Sequence, residues 1–309
     1  MATNANPCCM GLAVQRHAMR SVSAYGIAGF QSCHIFISIP TASSCFCPPM
    51  TANSPALPDT GIHLQDVHLT RGAQPVFAGL SLSLTEQRIG LIGDNGAGKT
   101  SLFRLLCGLE VARQGQVHVA GHDVLKHREQ LPGVVGMMFQ NPDDQIIFPT
   151  VEEELGLSLQ YQGIARKAAM VQARQFLAER GLAAWAPRAV SSLSQGQRQQ
   201  VCFLAMLMAA PRVMLLDEPF ASLDLPGQAR LAADLQRTSA QIVVSTHVLS
   251  HVRHFERVVW LAGGQVRGDG PGEAVCAAYE LDVKTRSSAQ TESAYGTQNS
   301  SEAAVAVQG

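Results

Sequence analysis

Charge is scarce in this chain. Lys, Arg, Asp and Glu make up 15% of its 309 residues, and 23 basic against 24 acidic side chains leave a formal net charge of −1. Globular proteins usually carry about a quarter charged residues. A large nucleic-acid footprint needs a basic excess or a basic face, so this balance argues against one. Long apolar runs are missing as well. A membrane-spanning helix needs roughly 18 or more apolar residues in succession, and the most apolar candidate is VCFLAMLMAA at 201–210. The chain is expected not to cross a membrane by itself.

Patterned cysteine is also absent, although the chain has 8. Cys8, Cys9, Cys33, Cys45 and Cys47 crowd near the start, while Cys107, Cys202 and Cys276 stand far apart. That spacing fits buried, reduced thiols in a cytosolic protein better than a disulfide framework. No acidic residue precedes Asp59. An organelle transit peptide shares that lack, but Met50 opens MTANSPALPDTGIHLQDV, a short polar lead into a strand pattern, so a start placed too far upstream is an equal reading. A secretory signal fits least, because no charged n-region leads into a continuous apolar stretch. The expected organisation is an N-terminal extension over 1–59, one domain over 60–283 and a disordered tail over 284–309, where KTRSSAQTESAYGTQNSSEAAVAVQG is polar and small.

Apolar residues, at 46%, suffice for a sizeable core, and their order can be read coarsely. IHLQDVHL and LSLSLT alternate at period two, as antiparallel strands do, and RIGLIG runs into a glycine-rich loop. Leu102, Phe103, Leu105, Leu106 and Leu109 then recur with helical spacing. GQVHVAG and VVGMMFQ read as short strands, and 164–180 as a helix with Arg166, Lys167, Arg174 and Arg180 on its polar face. RVMLLDEP and QIVVSTH are near-continuous apolar runs of the kind buried in parallel sheets. Together they predict an α/β fold with a parallel core sheet and an added antiparallel layer.

The loop carries the first chemistry. Gly93, Gly98, Lys99 and Thr100 fill the pattern G-x-x-x-x-G-K-[ST], between a strand pattern and an amphipathic helix pattern. Gly93, Asp94, Asn95, Gly96, Ala97, Gly98, Lys99, Thr100 and Ser101 are therefore the candidate phosphate-binding set: backbone amides and a helix N-terminus face the phosphates, Lys99 reaches their β and γ oxygens, and Thr100 ligates Mg²⁺. The competing reading, a plain glycine turn before a helix, leaves the lysine and hydroxyl unexplained. Asp217 ends the apolar run of VMLLDEP, where a carboxylate can meet the metal, and Glu218 beside it can orient or deprotonate an attacking water.

Between these two motifs lies LSQGQ, residues Leu193, Ser194, Gln195, Gly196 and Gln197. Ser194 with Gln197 has the form of a capping box, which by itself means only a capped helix. In this position and order, LSQGQ resembles the signature motif of ATP-binding cassette ATPases. That resemblance spans roughly residues 62–283 and implies a P-loop NTPase fold with a helical signature subdomain, in which the signature helix faces the ATP held by the opposite subunit. The usual third signature residue is glycine, and here it is Gln195. The resemblance further implies that Gln140, at the end of VVGMMFQ, senses Mg²⁺ and the attacking water. It likewise implies that Asp224 in ASLD links the two nucleotide sites and that His247 contacts the γ-phosphate. The family's adenine-stacking aromatic is missing, and its position falls near Arg71, whose guanidinium can also stack on a base.

The segment FQNPDDQIIFPTVEEEL, residues 139–155, is similar to the ATPases of energy-coupling-factor importers, which take up vitamins and transition-metal ions, and within these to the biotin-transporter group. Read locally, Pro142, Asp143 and Asp144 make a turn, and Thr150 with Glu153 makes a second capping box. Because the segment directly follows Gln140, it is also the expected docking surface for a transmembrane coupling protein. The resemblance implies ATP and Mg²⁺ as ligands and a small membrane substrate-binding protein as a further partner. It also implies a dimer, with itself or with a paralogous ATPase, at the cytoplasmic face of the cell membrane. A cassette ATPase of DNA repair should show coiled-coil insertions, zinc cysteines or a basic face, and one acting in translation should carry two cassettes. The pairs His247 with His251 and His251 with His254 have helix-compatible spacing, but no Cys or carboxylate completes a metal set, so Mg²⁺ is the one metal assigned.

Overall fold

The structure, a computed structural model, describes residues 60–305 and side chains through Ser288; the expected extension over 1–59 lies outside the described residues. The order of elements is β1 (Ile62–Arg71), β2 (Gln74–Leu84), β3 (Arg88–Ile92), α1 (Lys99–Leu106), β4 (Gln114–Val119), β5 (His122–Asp123), β6 (Val135–Met138), α2 (Val151–Tyr161), α3 (Arg166–Glu179), α4 (Gln195–Ala209), β7 (Val213–Asp217), α5 (Leu225–Arg237), β8 (Gln241–Ser245), β9 (Arg257–Ala262), β10 (Gln265–Gly270) and α6 (Gly272–Val305).

Two sheets form. One is antiparallel, in the order β2-β1-β4-β5, and the other follows β10-β9-β3-β8-β7-β6 with parallel pairing from β9 through β6. In β1 the apolar residues are Ile62, Leu64, Val67 and Leu69, which breaks strict alternation by one residue. A register shift between Leu64 and Val67 absorbs that residue, with Asp66 at φ 49°, so all four side chains are buried.

Every residue of β7 is buried, because helices cover both faces of the parallel sheet. Val213 and Leu215 join a core that includes Leu102, Phe103, Leu105 and Leu106 of α1. Met214 and Leu216, on the opposite face, pack with Cys202, Phe203 and Met206 of α4, Leu231 and Leu235 of α5, and Cys276 of α6. A third cluster ties α2, α3 and α4 into a helical layer through Val151, Leu155, Ala173, Leu177, Val201 and Leu204. Cys107, Cys202 and Cys276 are free thiols, and burial pushes Cys107 and Cys202 up to about 12.

Two local expectations differ from the structure. The box expected at Thr150 and Glu153 does not form: the Thr150 hydroxyl donates to Glu153 Oε2 at 2.6 Å instead of accepting a backbone N–H. Arg166 donates to the other carboxylate oxygen, Oε1, at 2.6 Å, so Glu153 stays at the helix start between Thr150 and Arg166. The tail expected from Lys284 is instead a continuation of α6, which runs Gly272–Val305. No proline interrupts it, and Arg286 pairs with Asp282 one turn back and with Asp94 elsewhere in the fold.

Candidate functional site

The glycine-rich loop leaves β3 at Gly93. A Cβ there would sit 2.1 Å from the Leu261 carbonyl oxygen, and φ is 143°, so glycine lets the chain pass β9 and turn. Lys99 opens α1 and folds back over the loop, donating from Nζ to the carbonyls of Gly93 at 2.7 Å and Asp94 at 3.1 Å. Burial lowers the pKa of its ammonium, while Glu218, Asp217 and Asp94 act in the opposite sense. A cation held by neutral carbonyls can exchange them for phosphate oxygens. Thr100 Oγ1 donates to Asp217 Oδ2 at 2.7 Å, which joins the start of α1 to the end of β7.

Glu218 follows Asp217 in a left-handed conformation, φ 51°. Its backbone is pinned at both ends: its N–H donates to the Ser245 carbonyl at 2.9 Å, and its own carbonyl accepts from Gln199 Nε2 at 3.1 Å. Its carboxylate accepts from Thr246 Oγ1 at 3.3 Å and lies 2.9 Å from His247 Nδ1. His247 is 67% exposed and so can reach a ligand without leaving Glu218. Gln199 and Thr246 were not found from the sequence. Gln199 is one of several glutamines in SQGQRQQ, and only its burial against β7 distinguishes it.

The loop, Asp217, Glu218 and His247 share one cavity of about 960 Å³, at the upper end of ligand pockets generally. Its wall includes all of Gly93–Ser101, together with Gln140, Asp217, Glu218 and His247. Arg71 is also in the wall, ion-paired to Glu110 at 2.7 Å, beside Val76 and Gly264. Tyr279 of α6 adds an aromatic ring that the sequence did not foretell, because it lies far beyond the last motif. The Thr100 hydroxyl, the Asp217 carboxylate and the Gln140 amide oxygen are hard donors. They fit Mg²⁺, which prefers oxygen ligands and keeps several waters.

Leu193, Ser194, Gln195, Gly196, Gln197 and Asp224 are not in this cavity. Ser194 Oγ accepts from Gln197 N at 3.2 Å and Gln197 Oε1 accepts from Ser194 N at 3.1 Å, a complete capping box that leaves the N-terminus of α4 exposed. A Cβ on Gly196 would meet the Ser222 carbonyl oxygen at 2.5 Å, so the helix start lies directly on the loop that follows Glu218. Asp224 caps α5, its Oδ1 accepting from Gly227 N at 2.9 Å. Gln195 and Asp224 are exposed.

The sequence profile of the ABC transporter family matches residues 77–221. The chain is 44% identical over 218 residues to the biotin transport ATP-binding protein BioM of Rhodobacter capsulatus, covering 71% of this chain and 93% of that protein. Its identity to the BioM of Rhizobium etli is 32% over 218 residues, covering 71% and 97%. Among solved structures, cbiO1 of Clostridium perfringens, part of the ABC transporter complex cbiONQ, superposes with a TM-score of 0.61 at 21% identity, covering 72% of this chain and 93% of cbiO1. At that identity the likeness concerns the fold.

Proposed function

Since the chain belongs to the ATP-hydrolysing ATP-binding proteins of the ABC transporter family, we propose that it is the motor subunit of an energy-coupling-factor importer and that the solute is biotin. Convergence supports hydrolysis at the cavity: side chains from the ends of β3, β6, β7 and β8 and from the start of α1 meet there. The solute rests on the 44% identity to a biotin transport ATP-binding protein, shared over 93% of that relative.

In this reading the amides of Gly93–Ser101 and the Lys99 ammonium receive the triphosphate. Thr100, Asp217 and Gln140 would hold Mg²⁺, which would screen the negative charge of the triphosphate. Glu218 orients a water and takes its proton as the water oxygen bonds to the γ-phosphorus and the bond to the β–γ bridging oxygen breaks. His247 donates from Nδ1 to Glu218 and keeps that carboxylate in place. Arg71 lies where a base can stack on its guanidinium. The exposed start of α4, with Ser194, Gln195 and Gly196, completes the site of a second ATPase copy or paralogue, and Asp224 joins the two sites.

No helix among the described residues is long and apolar enough to cross a membrane, so movement of a solute requires a membrane partner. That partner is a transmembrane coupling protein, accompanied by a small membrane substrate-binding protein, with this chain on the cytoplasmic face. The test is co-purification in mild detergent together with labelled-biotin accumulation in cells with and without the gene. A transmembrane partner and gene-dependent biotin uptake are expected. Purification without any membrane protein removes the transporter reading. A partner with intact biotin uptake but lost uptake of cobalt, nickel or another vitamin keeps the motor and replaces the solute.

A further inference from the structure

Helix α6 reaches back to the glycine-rich loop. Tyr279 Oη donates to Asp94 Oδ1 at 2.7 Å, and Arg286 donates to Asp94 Oδ2 at 2.8 Å and to Oδ1 at 3.4 Å. Neither contact is casual. Arg286 is braced by Asp282 at 2.7 Å, which Arg267 of β10 holds from the other side at 2.6 Å. The Tyr279 ring meets Trp260 of β9 edge-on, with centroids 5.2 Å apart, and the Arg267 guanidinium covers Trp260.

Asp94 is the second residue of a loop built to collect phosphate, and a free carboxylate there repels a polyanion. The Arg286 guanidinium and the Tyr279 hydroxyl hold that carboxylate below the usual range, so it is ionised at neutral pH and its charge is matched by Arg286. Lys99 therefore faces an incoming triphosphate with the nearest anion of its own loop already neutralised.

We infer that Tyr279 and Arg286 are positioning residues of the nucleotide site, neutralising and tethering the Asp94 carboxylate so that the loop's affinity for a nucleoside triphosphate depends on the C-terminal helix. The inference rests on reading Gly93–Ser101 as a phosphate loop. Docking of α6 and triphosphate binding then favour each other, and whatever draws α6 away weakens nucleotide binding by the same factor.

The test is fluorescence titration of the full chain with trinitrophenyl-ATP and Mg²⁺. Arg286→Ala is expected to weaken binding by about 5- to 20-fold, more at low ionic strength than at high, because it exposes an unmatched charge. Adding Asp94→Asn to Arg286→Ala should restore most of the affinity, a rescue that loss of packing alone does not give. Tyr279→Phe keeps the ring and removes the donor, with an expected loss of about 2- to 5-fold. Thermal melts check folding, and Arg286 is exposed enough for its removal to leave the fold intact. Unchanged affinity in Arg286→Ala, or a double variant no better than Arg286→Ala, overturns the inference while the phosphate loop stands. A wild-type chain that does not bind the probe overturns the loop itself.

Discussion

Glu218 occupies a backbone region that side-chain-bearing residues usually avoid, and its neighbours explain why it can. Bonds from its N–H to Ser245 and from Gln199 to its carbonyl fix the peptide on either side, and the strain aims the carboxylate between Thr246 and His247. None of these partners needs Glu218 to be charged in order to hold its backbone. Glu218→Gln is therefore expected to keep ATP affinity and lose about 10²- to 10⁴-fold in hydrolysis, the usual contribution of a general base. Lys99→Ala should do the reverse at the binding step, weakening ATP by about 10- to 100-fold through loss of charge-assisted hydrogen bonds. Equilibrium nucleotide binding and phosphate release, measured on both variants, separate the roles. Near-wild-type turnover in Glu218→Gln removes that residue from catalysis.

At the scale of the element, what could be read in advance depended on distance along the chain. The strand, loop and helix around Lys99 and the box at Ser194 follow from neighbouring residues, and the box forms as its spacing predicts. The box at Thr150 is incomplete because the Thr150 hydroxyl turns to the Glu153 carboxylate as a donor and accepts no backbone N–H, while Arg166, on the next helix, takes the other carboxylate oxygen. Glu154 was legible only as one of three acids at a helix start, yet its Oε2 accepts from the amides of Ile147 and Phe148 at 2.9 and 2.8 Å. Tyr279 and Arg286 were not legible at all, since their partner Asp94 lies 185 and 192 residues away. The α6 contact also predicts a pH response. Asp94 has a lower pKa folded than unfolded, so its stabilising effect is present above the ordinary aspartate range, near about 4, and is lost as pH falls through the depressed value. In a Trp185→Phe variant, the emission of Trp260, which touches Tyr279, should hold steady from neutral pH to about 5 and change only below about 4. A transition centred near neutrality would show that another group governs the contact.

For the whole molecule, the question is how closure at the cavity reaches a partner, and the chain after Gln140 offers a stiff path. Gln140 is in the cavity wall, and eleven residues later α2 begins in the helical layer. Between them the turn at Pro142–Asp144 is fastened by Asn141 Oδ1, which accepts from Asp143 N at 3.3 Å, and by Arg198 of α4, which lies 3.0 Å from Asp143. The Glu154 carboxylate then clamps the backbone at Ile147 and Phe148. Clamping matters because the Ile147 side chain is 74% exposed, an unusual position for a large aliphatic group on a rigid backbone. Under the proposed coupling, a movement at Gln140 would be delivered to an apolar contact rather than dissipated in a loose loop. Ile147→Ser removes that contact without touching Glu154 or any phosphate group, and so should leave the melting temperature and ATP affinity nearly unchanged. Asp144→Ala, in the exposed turn, should behave alike. Solute uptake should fall several-fold in either variant, and the amount of membrane partner recovered with the chain should fall with it. Full uptake with both residues replaced would place the partner's contact elsewhere on the helical layer, even though ATP hydrolysis by the chain continued as before.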